Sequence, residues 1–447
     1  MVLIIQIKRL VADILSILRQ FLWARFAKLG PPLLPSSEET SENSSSRRKM
    51  DEIQLPPFNR SGHAAHARRC MSALPRSQIE LDASRLALAF YNLGILDLLG
   101  DLNDVTAPPQ WQKDGWINWL WAQQTHGKYG SGFRPSPFMT LHPLESNLEY
   151  SDYDAPHLIM TYTALLALAI LRDDFSKLDR SGLITFLRAC QREDGSFMTT
   201  PKDGENDLRT LYCAFAISAM LDDWSGVDVE RAKAFIASCR TYEGGYGQAP
   251  FCEAQGTRFQ PKSEPFQCLR LITLSSAPRL LTGGTTYIAV ASLYLAPSST
   301  GSGPLTAIEK AQTVRWLVNN QTAVKDGEAT LGGFAGRTGK PADSCYCFWC
   351  GAALKILKYD GLIETKPLAL FLARCQFKFG GISKFEGEHP DPYHTYLSMA
   401  ALSMYPPSPL LAEEKPESWK FPVLDPLLNA RVETAEWAKK NISGKGQ

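Results

Sequence analysis

Three kinds of chemistry meet in one short stretch, GRTGKPADSCYCFW, residues 336–349. Two cations, Arg337 and Lys340, precede an acid and a thiol, Asp343 and Cys345, and aromatic residues follow at once. A carboxylate and a thiolate are hard and soft ligands, and that mixture suits a borderline metal such as zinc. The two cations could receive a phosphate or diphosphate, Arg337 through its planar fork and Lys340 as a point charge.

A third metal ligand is available in HPDPYHTYLSMAALSM, where His394 is the most suggestive of the seven histidines. Asp391 can cap a helix there with Pro392 at its first position, which places His394 in the first turn. Asp343 likewise precedes a helix-like run, so both helix starts are expected at the same end of the fold. Three protein ligands leave the fourth position open, as in catalytic rather than structural zinc sites.

A competing interpretation is a structural cluster of Cys345, Cys347 and Cys350. A helix advances about 100° per residue, so Cys345 and Cys347 would point roughly 200° apart. They could share one ion only if the helix were broken between them. Cys347 and Cys350 are therefore predicted to be ordinary buried thiols.

Taken singly, the neighbouring residues have plainer explanations. A lone RxxK, here Arg337 and Lys340, is typical of a solvated basic loop. Tyr346 and Trp349, three apart on one helix face, are typical core aromatics. Arg209, in the apolar run ENDLRTLYCA, needs a partner, and a surface salt bridge is the simplest one.

The whole chain sets broad limits on function. It has 447 residues, 44% of them hydrophobic and 21% charged, which is ordinary for a globular protein with a sizeable core. Its formal charge of +1 does not favour nucleic acid as a partner. In the apolar N-terminal stretch, residues 1–30, charged residues recur, and no window approaches the roughly 18 uncharged residues of a membrane span. The ten cysteines are expected to be reduced thiols, apart from any metal ligand.

Past residue 80 the chain is helical and repetitive. Apolar runs such as HLIMTYTALLALAIL alternate with loops that pair glycine with a following aromatic or aliphatic residue: KYGSGF, REDGSF, YEGGYG, LGGFAG and KFGGIS. The shorter intervals indicate a unit of roughly 50 residues, enough for two helices and a loop. Such hairpins must stack on their neighbours. We therefore expect an all-α fold in which about six hairpins close into a ring around a central cavity.

Two segments do not follow this pattern. Residues 1–49 are basic and apolar, then rich in serine, and are expected to be a disordered or mis-assigned N-terminal extension, or a targeting or membrane-surface helix. Residues 256–282 lack the repeat and are expected to be a surface insertion or translated intron sequence. The ring is assigned to residues 50–405, and residues 406–447 to a C-terminal tail.

Together these stretches resemble the β subunits of the protein prenyltransferases, most closely those of type I geranylgeranyltransferases. The resemblance covers roughly residues 80–405 in collinear order. It is carried by YDAPHLIMTYTALLALAIL, QREDGSF, ENDLRTLYCA, DWSGVD, GRTGKPADSCYCFW and HPDPYHTYLSMAALSM. It implies an α/α toroid whose Zn²⁺ is bound by Asp343, Cys345 and His394, with the fourth position taken by the cysteine of a CaaX protein.

The resemblance also implies roles for the neighbouring residues. Arg337, Lys340 and Tyr346 match the family residues that bind the diphosphate and stabilise its charge as it leaves. Trp349 matches an aromatic residue of the isoprenoid wall. Arg209 matches a residue near the C-terminal end of the bound peptide.

Four further positions bear on the prenyl donor. Ala87 stands where farnesyltransferases resemble one another in having a bulky Trp, so a longer C20 chain is expected, with Tyr91 as a second lining residue. Lys384 stands where farnesyltransferases have an Asp that recruits magnesium, so magnesium is expected to be dispensable. Gln255 replaces a family His that contacts diphosphate; it can still donate a hydrogen bond but carries no charge.

The resemblance implies a cytoplasmic heterodimer with an α subunit, using geranylgeranyl diphosphate to modify small GTPases that end in CaaX with X = Leu or Phe. Three alternatives stay open at this stage: a farnesyltransferase β subunit, a Rab-type β subunit and a zinc-containing helical-repeat scaffold without activity. A terpene cyclase on a similar toroid is disfavoured, because the chain has neither a DxDD nor a DDxxD segment.

Overall fold

Helices dominate the structure, a computed structural model that describes residues 54–73, 83–102, 107–137, 154–201, 204–252, 284–298, 303–327, 329–411 and 415–444. The N-terminal extension, the insertion and Gln255 lie outside these residues. The helices are α1 (Arg60–Ser72), α2 (Arg85–Leu99), α3 (Gln110–Trp121), α4 (Leu158–Ile170), α5 (Arg180–Cys190), α6 (Leu208–Leu221), α7 (Val229–Ser238), α8 (Thr285–Leu295), α9 (Ala307–Asn319), α10 (Ser344–Ile356), α11 (Thr365–Arg374), α12 (Pro392–Met404) and α13 (Val432–Ile442).

Four antiparallel two-stranded hairpins accompany the helices within this part of the chain. Their strands are β1 (Gln124–Gly127) with β2 (Gly130–Phe133), β3 (Val324–Asp326) with β4 (Ala329–Leu331), β5 (Ile382–Ser383) with β6 (Pro390–Asp391), and β7 (Leu424–Asp425) with β8 (Ala430–Arg431). The pairs are short, so they shape loops at the ends of helices rather than forming a sheet of their own.

Two kinds of helix alternate along the chain. Every residue of α4 is buried, which is typical of a helix covered on all sides. The next helix, α5, buries only Leu183, Phe186, Leu187 and Cys190, the spacing of a single apolar stripe. One kind of helix therefore belongs to an inner layer, and the other covers it from outside.

The inner helices close into a ring. In order, α2, α4, α6, α8, α10 and α12 each pack on the next, and α12 packs back on α2. The odd-numbered helices α1 to α11 lie between them in sequence and on the outside, so the chain forms six outer-inner hairpins. This confirms the prediction of an all-α toroid. None of the described helices is both long and apolar enough to cross a membrane.

The start of each ligand-bearing helix is fixed by its own sequence. Asp343 caps α10 by accepting a hydrogen bond from the backbone N–H of Cys345, at 3.0 Å. Asp391 caps α12 by accepting from the N–H of His394, at 2.8 Å, with Pro392 at the first helical position as predicted. Because every outer helix reverses the chain, the inner helices run parallel and these two starts share one end of the ring.

The turn between β7 and β8, residues 426–429, comes from the C-terminal part of the chain and contacts the inner helices. Its four backbone carbonyls accept hydrogen bonds from tyrosines on four inner helices. Tyr162, Tyr212, Tyr287 and Tyr396 donate to the carbonyls of Leu428, Leu427, Pro426 and Asn429 at 2.8, 2.9, 2.8 and 2.6 Å. Helix α13 then packs on α4 and α6. Residues 415–444 are therefore part of the toroid, in contrast to the tail expected from sequence.

A buried ion pair anchors this hairpin, and its loss should destabilise the fold. Arg431 Nη1 lies 2.9 Å from Asp97 Oδ1, and Thr434 donates to the same carboxylate at 2.9 Å. Arg431→Ala leaves the buried Asp97 carboxyl without its cationic partner, so we expect a loss of about 3 kcal/mol in the free energy of unfolding by urea. Arg374→Ala, which breaks an exposed pair with Asp326, should cost less than about 1 kcal/mol. Equal losses in the two variants would contradict the buried-anchor interpretation.

Candidate metal centre and active site

Three ligand-type side chains meet where α10 and α12 begin. One ligand atom from each of Asp343, Cys345 and His394 lies within 4.8 Å of the other two, and His394 Nε2 is 3.4 Å from Asp343 Oδ1. Ligands at about 2.0–2.3 Å from a tetrahedral zinc ion are themselves roughly 3.3–3.8 Å apart. The oxygen, sulfur and nitrogen donors therefore fit zinc after small shifts. Within the described residues this is the one group of its kind.

The imidazole of His394 is oriented by the residue that caps its helix. Asp391 Oδ2 lies 2.6 Å from His394 Nδ1, while Oδ1 of the same carboxylate caps the backbone. Burial alone would lower the pKa of His394, but the Asp391 charge and hydrogen bonds to Asp343 and Cys345 raise it well above its usual value. Nδ1 therefore carries a proton toward Asp391, and Nε2 faces the cluster, the arrangement of many metal-binding histidines.

The other two ligands are buried more deeply. Burial raises the pKa of the Cys345 thiol, and the neighbouring Asp343 charge raises it further. Burial alone would also raise the pKa of Asp343, but hydrogen bonding and the charge of His394 hold it below its usual value. Without an ion the cluster is thus a carboxylate, a thiol and an imidazolium, and metal binding requires the thiol and the Nε2 of His394 to lose their protons.

Cys347 and Cys350 do not join this cluster. Both are buried on α10, and burial raises the pKa of each thiol. The described residues therefore form the mixed cluster rather than a cysteine cluster, as the helical spacing predicted.

One positive side chain lies close to the cluster, and two more come shortly before it in the chain. Lys384 Nζ is 3.8 Å from Asp343 Oδ2, and about half of the lysine side chain is exposed. Arg337 and Lys340 are on the loop immediately before α10, where the N–H of Lys340 donates to the carbonyl of Arg337 at 3.2 Å. Arg337 is partly buried and Lys340 is exposed. Gly336, before them, packs so closely on the Tyr346 ring that an added Cβ would lie 2.3 Å from it.

Aromatic side chains extend from the cluster into the ring. Trp349 donates its indole N–H to the Tyr393 hydroxyl at 3.1 Å, and Tyr393 packs edge-on against His394 with ring centroids 5.0 Å apart. Tyr91 meets Tyr393 edge-on at 5.4 Å. Ala87, one helical turn before Tyr91, is completely buried. Tyr91, Tyr393 and Trp349 are therefore connected by contacts that end beside the metal ligand His394. The lining of an isoprenoid site by Ala87, Tyr91 and Trp349 stays a prediction.

Arg209 has a salt bridge, but a buried one, unlike the surface pair favoured by the single-residue argument. Its guanidinium donates to Asp207 Oδ2 at 2.6 Å and to Glu205 Oε2 at 2.5 Å, and 7% of the side chain is exposed. The charge of Arg209 also acts on His157, which lies just before α4. Burial and the charge of Arg209 lower the pKa of His157 to about 4. His157 Nδ1 has no hydrogen-bond partner within the described residues.

Sequence reasoning missed three contributors to this site: the ring-orienting role of Asp391, the bridging ring of Tyr393, and His157. The spacing of Asp391 and His394, three apart at a helix start, is a signal that could have indicated the first. Tyr393 and His157 lie in quoted motifs, but an aromatic residue and a histidine beside apolar runs have no feature that separates them from core residues.

The fold and the cluster define a helical toroid with a candidate metal site where two inner helices begin. A sequence profile described as the prenyltransferase alpha-alpha toroid domain matches residues 58–260 and 281–430. The chain belongs to this prenyltransferase family.

Two relatives and one solved structure are similar to most of the chain. The chain is 33% identical over 390 residues to the geranylgeranyl transferase type-1 subunit beta of Arabidopsis thaliana, covering 81% of this chain and 92% of that one. It is also 33% identical over 355 residues to the same subunit of Dictyostelium discoideum, covering 75% and 87%. Candida albicans protein geranylgeranyltransferase-I complexed with GGPP shares the fold, with a TM-score of 0.68 and 23% identity over 87% of this chain and all of that one.

Proposed function

We propose that this chain is the catalytic β subunit of a type I protein geranylgeranyltransferase. It transfers a C20 group from geranylgeranyl diphosphate to the cysteine of CaaX proteins with X = Leu or Phe, such as Rho-type small GTPases, in the cytoplasm and in complex with an α subunit. The observation that carries the proposal is the meeting of Asp343, Cys345 and His394 beside Lys384, where two inner helices of the toroid begin. The two relatives at 33% identity support the choice of donor.

The proposed reaction is a displacement at C1 of the isoprenoid. Zinc, when bound by the three ligands, stabilises the thiolate form of a coordinated substrate cysteine. The substrate sulfur forms a bond to C1 while the bond from C1 to oxygen breaks, and diphosphate leaves with the electron pair. Arg337, Lys340 and Lys384 offset the charge that grows on the leaving group, and Tyr346 can donate a hydrogen bond to it. Gln255 would add a neutral donor.

We assign the donor length to Ala87 and the aromatic residues near the metal ligands. Ala87 contributes only a methyl group where a larger side chain would shorten the available space, and Tyr91, Tyr393 and Trp349 supply the aromatic surface. Lys384 places a fixed positive charge beside the cluster, so the leaving diphosphate needs no magnesium to balance it.

The peptide end is assigned to the pair Arg209 and His157. Arg209 already meets two carboxylates, so its charge is largely balanced before any ligand arrives. His157 stays neutral, and its Nδ1 has no hydrogen-bond partner within the described part of the chain. We propose that a substrate carboxylate near α4 and α6 is read by hydrogen bonds from this pair rather than by an unpaired cation.

Removing the charge of Asp391 should weaken the metal site without unfolding the helix. Asp391→Asn keeps a side-chain oxygen for the helix cap but loses the carboxylate that orients His394. We expect zinc affinity, measured by competition with a chromophoric chelator, to fall roughly 10–100-fold. Asp228→Asn, at another helix cap remote from the cluster, should leave zinc affinity unchanged. A wild-type affinity in Asp391→Asn would contradict the assigned role.

The decisive experiment is co-expression with an α subunit, followed by transfer assays with C15 and C20 donors on CaaX peptides ending in Leu and in Ser, with and without magnesium. The proposal predicts preference for C20 and Leu and no magnesium requirement. Preference for C15 would make the protein a farnesyltransferase subunit. Retained zinc without transfer would favour a scaffold.

A further inference from the structure

Helix α1 contacts the turn that leads into β5 with no side chain between them. Gly380 has φ of +94°, and an added Cβ there would lie 1.9 Å from the carbonyl oxygen of Gly62. The next residue, Gly381, also has a positive φ, and its added Cβ would be 3.1 Å from the His66 ring. This close approach fixes the turn against the helix, since any side chain at Gly380 would collide with backbone.

His63 of α1 is hydrogen-bonded at this contact through both ring nitrogens. Nδ1 accepts from the backbone N–H of Gly381 at 2.8 Å, and Nε2 lies 3.1 Å from Gln376 Oε1. A backbone N–H can only donate, so Nδ1 is unprotonated and Nε2 donates to the glutamine oxygen. The N–H of Asn59 donates to the same oxygen at 3.1 Å, which fixes the orientation of the amide. The ring is completely buried, and burial lowers the pKa of His63 to about 4, so it stays neutral.

The segment from Gly381 to Lys384, which His63 contacts at Gly381, supports both helix starts that carry the metal ligands. Directly after Gly381, the carbonyls of Ser383 and Lys384 accept hydrogen bonds from the hydroxyl and the N–H of Ser344, at 2.8 and 2.9 Å. Ser344 lies between the ligands Asp343 and Cys345.

The β5–β6 pair connects the same segment to the start of α12, which carries the ligand His394. Ile382 is paired with Asp391, whose carboxylate holds the His394 ring. Thr395 of α12 donates to the Asp391 carbonyl at 2.6 Å and accepts from the N–H of Ile382 at 2.8 Å. A shift of β5 would therefore move the starts of α10 and α12 together.

We infer that His63 is a positioning residue of the metal centre: through its Nδ1 bond to Gly381 it holds β5 in the register that brings Asp343, Cys345 and His394 together. The inference rests on the proposed zinc site. His63 is not a ligand, because it acts on the cluster only through the intervening strand.

Two amide variants separate the two hydrogen bonds of the His63 ring. His63→Asn can place its Oδ1 where Nδ1 stands, keeping the acceptor for Gly381, and loses the bond to Gln376. His63→Gln can place its amide nitrogen where Nε2 stands, keeping the donor to Gln376, and loses the bond to Gly381. Both variants shrink the side chain and delete one hydrogen bond, so each is the matched control for the other.

The measurement is zinc affinity by chelator competition on the complex with the α subunit, alongside thermal unfolding. We expect His63→Asn to bind zinc within about twofold of wild type and His63→Gln to bind about tenfold more weakly, the low end for residues that support metal ligands from outside. Equal affinities in the two variants, or a weaker His63→Asn, would overturn the inference.

A second measurement needs no variant and covers the case in which His63→Gln fails to fold. Coupling between two sites is reciprocal. Removing zinc from the wild-type complex should therefore speed hydrogen exchange of the Gly381 amide, while amides of α5 stay unchanged. Unchanged exchange at Gly381 would overturn the inference. If Cys345→Ser binds zinc as well as wild type, the proposed zinc site itself is wrong, and this outcome is distinct from a failure at His63.

Discussion

Replacing Cys345 with Ser should abolish both metal retention and prenyl transfer. The variant keeps the helix and the Asp343 cap but exchanges the soft sulfur ligand for a hydroxyl that does not ionise near neutral pH. We expect kcat/KM with a C20 donor to fall on the order of 10³-fold or more, beyond the roughly 10–100-fold effect of losing an outer partner of a ligand. Zinc content by atomic absorption and transfer to a CaaX peptide should fall together.

The matched control lies on the same helix. Cys350→Ser makes the same chemical change at a buried thiol that is not part of the cluster. Its zinc content and kcat/KM should stay close to wild type, although the buried hydroxyl can lower thermal stability. If Cys345→Ser still transferred the prenyl group at a rate within tenfold of wild type, the metal would not be part of the reaction.

The second large effect is expected at Ala87. A Trp at this buried position should fill the space needed by the fourth isoprene unit and turn the preference from C20 toward C15. Burial of five carbons contributes up to about 4 kcal/mol at roughly 0.8 kcal/mol for each methylene-sized group. We therefore expect the ratio of kcat/KM for C20 over C15 to fall on the order of 100-fold, because the fourth isoprene unit loses its contacts.

The ratio is the useful quantity because a general loss of stability affects both donors alike. Ala89→Trp on the same helix makes the same substitution at a partly exposed position and should leave the ratio within about threefold of wild type. An unchanged ratio in Ala87→Trp would mean that this residue does not limit the donor chain.

The metal cluster could be predicted from sequence because its geometry is local. Asp343 and Asp391 are strong helix caps, so the chain itself places Cys345 and His394 in first turns. The repeat of roughly 50 residues then puts these turns at one end of the ring. The closed ring of six hairpins followed from the same repeat.

The depth and partners of the remaining side chains could not be predicted in the same way. Arg209 lies beside Asp207 and Glu205 in sequence, but whether that trio is solvated or buried depends on helices far along the chain. The tyrosine contacts with residues 426–429 were also hidden, because the acceptors are backbone carbonyls, which every sequence possesses. The role of His63 could not be predicted for a related reason, because the group that donates to its Nδ1 is the backbone N–H of Gly381.

The turn that accepts the four tyrosine hydroxyls also has a consequence for biosynthesis. Helices α4, α6, α8 and α12 all leave the ribosome before residues 426–429 do, so the growing ring lacks its central acceptors until translation is nearly complete. Until then the four tyrosine hydroxyls must hydrogen-bond to water or be covered by a chaperone. A nonsense codon shortly before residue 424 would thus yield chains with all six inner helices but an unfinished interior, and quality control should degrade them in preference to full-length protein.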